Sequence, residues 1–304
     1  MTVRIEISEV GPRDGLQNIA PVMPTAAKRA WIAAEHAAGV PEIEVGSFVP
    51  ASLLPQLADT AELVAFARTL PGLNVAVLVP NVRGAAAAIE AGAHKITLPV
   101  SASETHSLRN VRRTQAQMID QAAEIARLVA DVPEETRPRF EAGISTAFGC
   151  TLEGAVPEDR VVALAERLVA AGCDEVGLAD TSGYANPVQV KRLLRRVRAT
   201  VGAERCAGVH LHNTRGLGLA NALAALEEGI TTLDSSLSGL GGCPFAPGAS
   251  GNIVTEDLVF MLEAMGLETG VDLPALLKVR EILRDALPGV ELYGFTADAG
   301  LPKA

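Results

Sequence analysis

Short runs of β-branched and apolar residues alternate along the chain with longer stretches in which apolar residues recur at three- and four-residue spacing. The first pattern is that of buried strands, the second that of amphipathic helices. Strands are expected near 3–10, 42–47, 74–79, 94–99, 138–145, 174–179, 207–212 and 231–236. Helices are expected near 24–38, 59–69, 82–91, 112–131, 157–171, 186–200, 216–228 and 254–265. Val161, Leu164, Ala165, Leu168 and Val169 carry the helical period. Gly39, Gly92, Gly172 and Gly229 each fall between a helix and the next strand, where a left-handed C-cap favours glycine. Eight strands alternating with eight helices predict a closed (β/α)8 TIM barrel, with an open doubly wound sheet as the alternative. No composition break marks a linker, so residues 1–304 read as one domain, with 270–304 as a short C-terminal helical appendage.

Composition narrows the partners. A chain of 304 residues can bury a core large enough to fold without disulfides or a structural metal. Its 48% hydrophobic and 20% charged residues exclude extensive disorder. A net charge of -10 argues against nucleic acid, because phosphate binding needs a basic face. It leaves room for an anionic small substrate, since a metal or a few cations can set the potential inside a pocket. No apolar run reaches the ~18 residues of a membrane span. The opening residues lead directly into a strand pattern rather than a targeting segment, so a cytoplasmic protein is expected. Cys150, Cys173, Cys206 and Cys243 show no C-x-x-C spacing and read as reduced thiols rather than zinc ligands.

In a TIM barrel, catalytic groups sit at the carboxyl ends of the strands. Those ends carry Arg13-Asp14, Glu44 with Ser47, Asn81, Ser103-Glu104, Thr146, Asp180-Thr181, His210 with His212, and Ser238. His210 and His212 lie two apart on an expected strand, so both imidazoles share the face toward the barrel interior. Together they form a possible edge for a divalent metal, or a hydrogen-bonded pair of core histidines. Asp14 would complete an Asp/His/His set, or serve the turn before Gly15. Oxygen and nitrogen ligation without thiolate suits magnesium or manganese better than structural zinc. Arg13 is placed either to salt-bridge or to face developing negative charge. Residues 238–252 form a loop rich in glycine and proline, a candidate lid, with Cys243 at its centre and Asn252 near its end. A thiol in a polar loop can act as nucleophile or proton donor. Asn252 can be a neutral oxygen ligand or a helix cap.

The segments Gly11–Asn18, Glu44–Phe48, His210–Gly216, Gly239–Pro244 and Gly248–Asp257 resemble the pattern of 3-hydroxy-3-methylglutaryl-CoA lyases, in order and over essentially the whole chain. The first motif is shared with related carbon–carbon-forming synthases. The Gly-Leu-Gly-Gly-Cys-Pro loop separates the lyases from them. The resemblance implies that Asp14, His210, His212 and Asn252 bind a divalent cation, Mg2+ or Mn2+. It further implies that Arg13 stabilises an enolate, that His210 or Asp14 acts as base, and that Cys243 acts from the loop. Gln17, Glu44, Ser47, Asp180, Thr181, Asn213 and Glu256 are expected around the substrate or just behind the ligands. Asn213 departs from the family, in which Asp commonly follows the second His, and an amide would orient a ligand less strongly. The implied reaction splits a 3-hydroxy-3-methylglutaryl-type thioester into acetyl-CoA and a 3-oxoacid, in a homodimer. A homocitrate- or isopropylmalate-type synthase and a catalytically silent acyl-CoA-binding barrel are the alternatives. Arg109, Arg112 and Arg113 are cations for CoA phosphates or solvated helix charges.

Overall fold

Eight parallel strands close on one another in sequence order in this computed structural model, which describes residues 4–241 and 251–303. They are β1 (Glu6–Glu9), β2 (Glu42–Ser47), β3 (Asn74–Leu78), β4 (Lys95–Ser101), β5 (Arg139–Ser145), β6 (Glu175–Ala179), β7 (Gly208–His210) and β8 (Thr232–Ser235). Closure is made by β1 pairing with both β2 and β8. The closed ring excludes the open doubly wound sheet. Helices pack around it as α1 (Thr25–Ala37), α2 (Thr60–Ala67), α3 (Val82–Ala91), α4 (Glu104–Val111), α5 (Gln115–Ala130), α6 (Glu158–Ala170), α7 (Pro187–Val201), α8 (Gly218–Glu227) and α9 (Thr255–Ala264).

The period of two along each strand separates two environments. Outward positions such as Ile7, Ile43, Val77, Leu98, Ile144, Val176, Val209 and Leu233 are buried against the helices and form the hydrophobic core. Most inward positions are polar or small. Ser8, Glu42, Lys95, Thr97, Glu141, Thr232 and Asp234 line the interior with Ala76, Gly143, Gly177 and Gly208. Small inward side chains leave space along the barrel axis. The four expected C-cap glycines all adopt positive φ, at 93° for Gly39, 82° for Gly92, 104° for Gly172 and 82° for Gly229.

Two features differ from the sequence expectation. The helix expected at 112–131 begins at Gln115, and a separate helix that the pattern did not predict, α4, precedes it. Arg112 turns left-handed at φ 55° and ends α4, and a Thr114–Gln117 capping box starts α5. The strand expected at 207–212 ends at His210, and His212 instead forms an isolated antiparallel bridge with Asn252. The segment after 270, expected as a helical appendage, forms α10 (Leu273–Ala286) and α11 (Phe295–Ala299). Arg280 of α10, buried, pairs with Glu256 of α9 at 2.5 Å, and Asp257 accepts the backbone N–H groups of Phe295 and Thr296 at 3.0 and 2.7 Å.

The floor of the barrel is a closed ion cluster. Lys95 Nζ lies 3.2 Å from Glu42, 3.0 Å from Glu141 and 3.8 Å from Glu175. Glu42 also accepts from Ser8 Oγ and Asn74 Nδ2 at 2.8 and 2.5 Å. Burial alone would push the Lys95 ammonium toward neutrality, but the carboxylates hold its pKa well above the usual value.

Candidate metal centre and substrate cavity

A cavity of about 810 Å³ opens at the carboxyl ends of the strands and reaches down to Lys95. On one side it is bounded by residues delivered from three strand ends. The chain leaves β1 in a single wide turn, Gly11–Gly15, which turns Arg13 and Asp14 into the cavity. Gly11 fits this turn because a Cβ there would meet Glu9 Oε1 at 2.5 Å and Trp31 at 2.9 Å. His210 ends β7, and His212 follows in extended backbone. Segment 251–254 is laid against both strand ends, with Asn213 N–H donating to the Gly251 carbonyl at 2.8 Å and Val254 bridging Ser236. Asn252 is thereby brought beside Asp14.

Asp14, His210 and His212 offer ligand atoms that all lie within 4.8 Å of one another. His210 Nε2 is 3.1 Å from His212 Nε2 and 3.8 Å from Asp14 Oδ2. Asn252 Nδ2 donates to Asp14 Oδ2 at 2.8 Å, while its buried Oδ1 has no partner among the described residues. A buried acceptor left unpaired is costly, and a cation would satisfy it. The donor set of two imidazole nitrogens and two oxygens fits a divalent ion.

Electrostatics agree. Burial would raise the Asp14 carboxyl, but Arg13, the two imidazoles and the Asn252 amide hold it well below the usual range, so it is anionic. Burial and the neighbouring His210 push His212 down to about 3, which leaves it neutral with a lone pair to offer. His210 is also penalised by burial, but Asp234, 3.0 Å from its Nδ1, more than offsets this and raises it. A carboxylate on Nδ1 fixes the ring so that Nε2 faces the cluster.

Arg13 donates through Nε to Glu44 at 2.5 Å and through a terminal nitrogen to Asp14 at 2.6 Å. Gln17 Nε2 donates to Asp14 Oδ1 at 2.5 Å. Arg13, Asp14, Gln17, Glu44, Thr181, His210, His212 and Asn252 all stand in the cavity wall. Other expected residues stand behind it. Asp180, raised to about 7 by burial against opposing backbone hydrogen bonds, accepts the N–H groups of Tyr184 and Ala185. Ser47 is clamped through its backbone to the Thr60 hydroxyl. Asn213 turns its Oδ1 to the Gly218 N–H at the start of α8, at 3.0 Å. Glu256 faces Arg280 and the Ser238 N–H rather than the cavity. Cys243 lies outside the described residues.

Sequence reasoning missed Asp234 and His106. Asp234 sits two residues after Thr232 on an expected strand, and parallel register sets it opposite His210. That phase was the available signal. His106 belongs to α4, which the sequence pattern did not reveal.

A closed (β/α)8 barrel with an Asp/His/His cluster at the carboxyl ends of its strands is the framework of a TIM-barrel enzyme built for metal-assisted chemistry. The chain belongs to the HMGL-like family, whose model matches residues 4–283. It is 40% identical to hydroxymethylglutaryl-CoA lyase of Bacillus subtilis over 96% of this chain and 97% of that one. It is 41% identical to the mitochondrial hydroxymethylglutaryl-CoA lyase of Arabidopsis thaliana over 92% of this chain, which spans 58% of that longer protein. An HMG-CoA lyase structure from Acinetobacter baumannii, in complex with coenzyme A and 3-methylmalate, superposes with a TM-score of 0.90. It is 41% identical and covers 99% of this chain and 98% of that one. The protein is an enzyme of the carbon–carbon lyase class.

Proposed function

We propose that the protein cleaves 3-hydroxy-3-methylglutaryl-CoA, or a close 3-hydroxy-3-substituted glutaryl-CoA, to acetyl-CoA and a 3-oxoacid such as acetoacetate, with a divalent metal. The observation that carries this reading is the convergence of Asp14, His210, His212 and Asn252 on one side of a cavity that also holds Arg109, Asn110, Arg112 and Arg113. Those arginines are the groups we assign to the CoA phosphates. Mg2+ or Mn2+ held by the four ligands would polarise the tertiary hydroxyl of the substrate. The hydroxyl proton goes either to His210 Nε2, in which case Asp14, His212 and Asn252 alone would hold the cation, or to Asp14 with His210 kept as a ligand and Asp234 on its Nδ1. The bond between C2 and C3 then breaks, its electron pair passing to the thioester enolate while C3 becomes a ketone. Arg13, fixed by Glu44 and Asp14, sets a cation beside that enolate without having to reorganise. Cys243 returns a proton to the enolate carbon and releases acetyl-CoA.

No helix among the described residues is long and apolar enough to cross a membrane, and the reading includes a cytoplasmic homodimer. Purified protein with magnesium or manganese, assayed against a panel of 3-hydroxyacyl-CoA thioesters, should release acetyl-CoA from the glutaryl-type members only. Full activity in excess chelator, or condensation of acetyl-CoA with a 2-oxoacid, would overturn the assignment. Cys243→Ser should lower kcat by ~100- to 10,000-fold with little change in KM, because a hydroxyl is a far weaker acid than a thiol. A variant with wild-type kcat would remove the thiol from the mechanism.

A further inference from the structure

His106 stands in the cavity wall on α4, and the proposed reaction does not use it. In strand order β4, which leads into α4, lies diametrically across the barrel from β8, next to which the metal ligands gather. His106 Nδ1 is 3.0 Å from Ser101 Oγ, at the end of β4. Proton accounting through this contact favours one tautomer. Thr146 Oγ1 donates its only proton to the Ser145 carbonyl at 2.7 Å, an atom that can only accept. Ser101 Oγ lies 2.9 Å from Thr146 Oγ1, so that contact needs the Ser101 proton. The two lone pairs of Ser101 Oγ then accept from Ser103 N–H at 3.3 Å and from His106 Nδ1–H. A neutral imidazole protonated on Nδ1 carries its lone pair on Nε2, and the side-chain hydrogen bond His106 makes among the described residues is through Nδ1. Burial holds His106 below the ordinary imidazole range, against a smaller upward pull from Glu153, which favours the neutral ring.

The cavity wall of α4 therefore presents a fixed hydrogen-bond acceptor one turn before Arg109 and the other cations. A thioester whose acyl group is at the metal ligands and whose phosphates are at Arg109, Arg112 and Arg113 must lay the intervening arm across this wall. That arm carries amide N–H donors. We infer that His106 is a recognition residue for the pantetheine arm, its Nε2 accepting a hydrogen bond from an amide N–H. The inference rests on the acyl-CoA reading above, which the test keeps separate.

Calorimetric titration of CoA and of adenosine 3′,5′-bisphosphate into wild type, His106→Phe and His106→Gln tests it. His106→Phe should weaken CoA by about 3- to 10-fold, the worth of one neutral hydrogen bond, and leave the bisphosphate unchanged. His106→Gln, which keeps an acceptor, should restore most of the loss. Nitrogen-15 spectra of the imidazoles should show His106 protonated on Nδ1, with Nε2 shifting when CoA binds. Equal CoA affinity in all three proteins, equal loss for both ligands, or a proton on Nε2 in the free protein overturns the inference while the lyase reading stands. Wild-type protein that binds neither ligand overturns both.

Discussion

The barrel holds two charged clusters along one axis, and they are built on opposite principles. At the floor, Lys95 is surrounded by Glu42, Glu141 and Glu175, and the surrounding hydroxyl and amide donors complete Glu42. At the mouth, two imidazole nitrogens face each other at 3.1 Å beside a carboxylate, and the Asn252 Oδ1 has no partner among the described residues. Each group at the floor is answered by a protein partner. The mouth leaves coordination capacity open toward a cavity. The difference separates a cluster that closes a fold from one that awaits a ligand, although both are buried and highly charged.

The sharpest way to break this comparison is to remove a ligand at the mouth. His210→Ala or His212→Ala should abolish measurable turnover and weaken Mn2+ binding by more than ~100-fold, beyond the range seen for outer partners of metal ligands. The melting temperature should change little by comparison. Unaltered metal titrations would return the two histidines to the status of core residues. The converse experiment is Lys95→Met at the floor, which strands carboxylates in a buried setting. It should cost about 3–5 kcal/mol of stability in chemical denaturation and leave metal affinity unchanged in the folded fraction. A stable variant that lost metal would show that the floor belongs to the site.

Asp234→Asn sharpens the comparison further, because the amide keeps the size of the side chain and removes the charge on His210 Nδ1. Metal affinity or kcat should fall by about 10- to 100-fold, measured by titration and by steady-state assay. Asn213→Asp should have the smallest effect, within about threefold on metal affinity. A carboxylate can still accept the Gly218 N–H, and a negative charge is favoured at a helix start. A tenfold change would place residue 213 in electrostatic contact with the ligands.

How much of this was legible beforehand follows from which relations are local in the chain. The strand and helix alternation, the left-handed glycines and the His-x-His pair are patterns within a few residues, and all appear in the structure. Helix α4 escaped because its eight residues, ETHSLRNV, include too few apolar positions to show a period. The Lys95 cluster draws on residues 42, 95, 141 and 175, and only barrel register brings them together. The pairing of Asp234 with His210 has the same origin. Glu256 and Asn213 show the reverse case. Each lies close in sequence to site residues, yet local geometry turns one toward Arg280 and the other toward α8.

The small inward residues between floor and mouth give the cavity an adjustable depth. A Cβ added at Gly208 would meet nothing closer than 3.7 Å, and one at Gly143 nothing closer than 3.4 Å, whereas at Gly177 it would strike Glu141 Oε1 at 2.3 Å. Neither Gly143 nor Gly208 has a positive φ, so alanine is free of backbone strain at both. The shaft can thus be shortened one methyl at a time from two sides of the ring, without touching a ligand or an ion pair. The volume below the mouth is therefore free to vary while the ligands above it stay as they are.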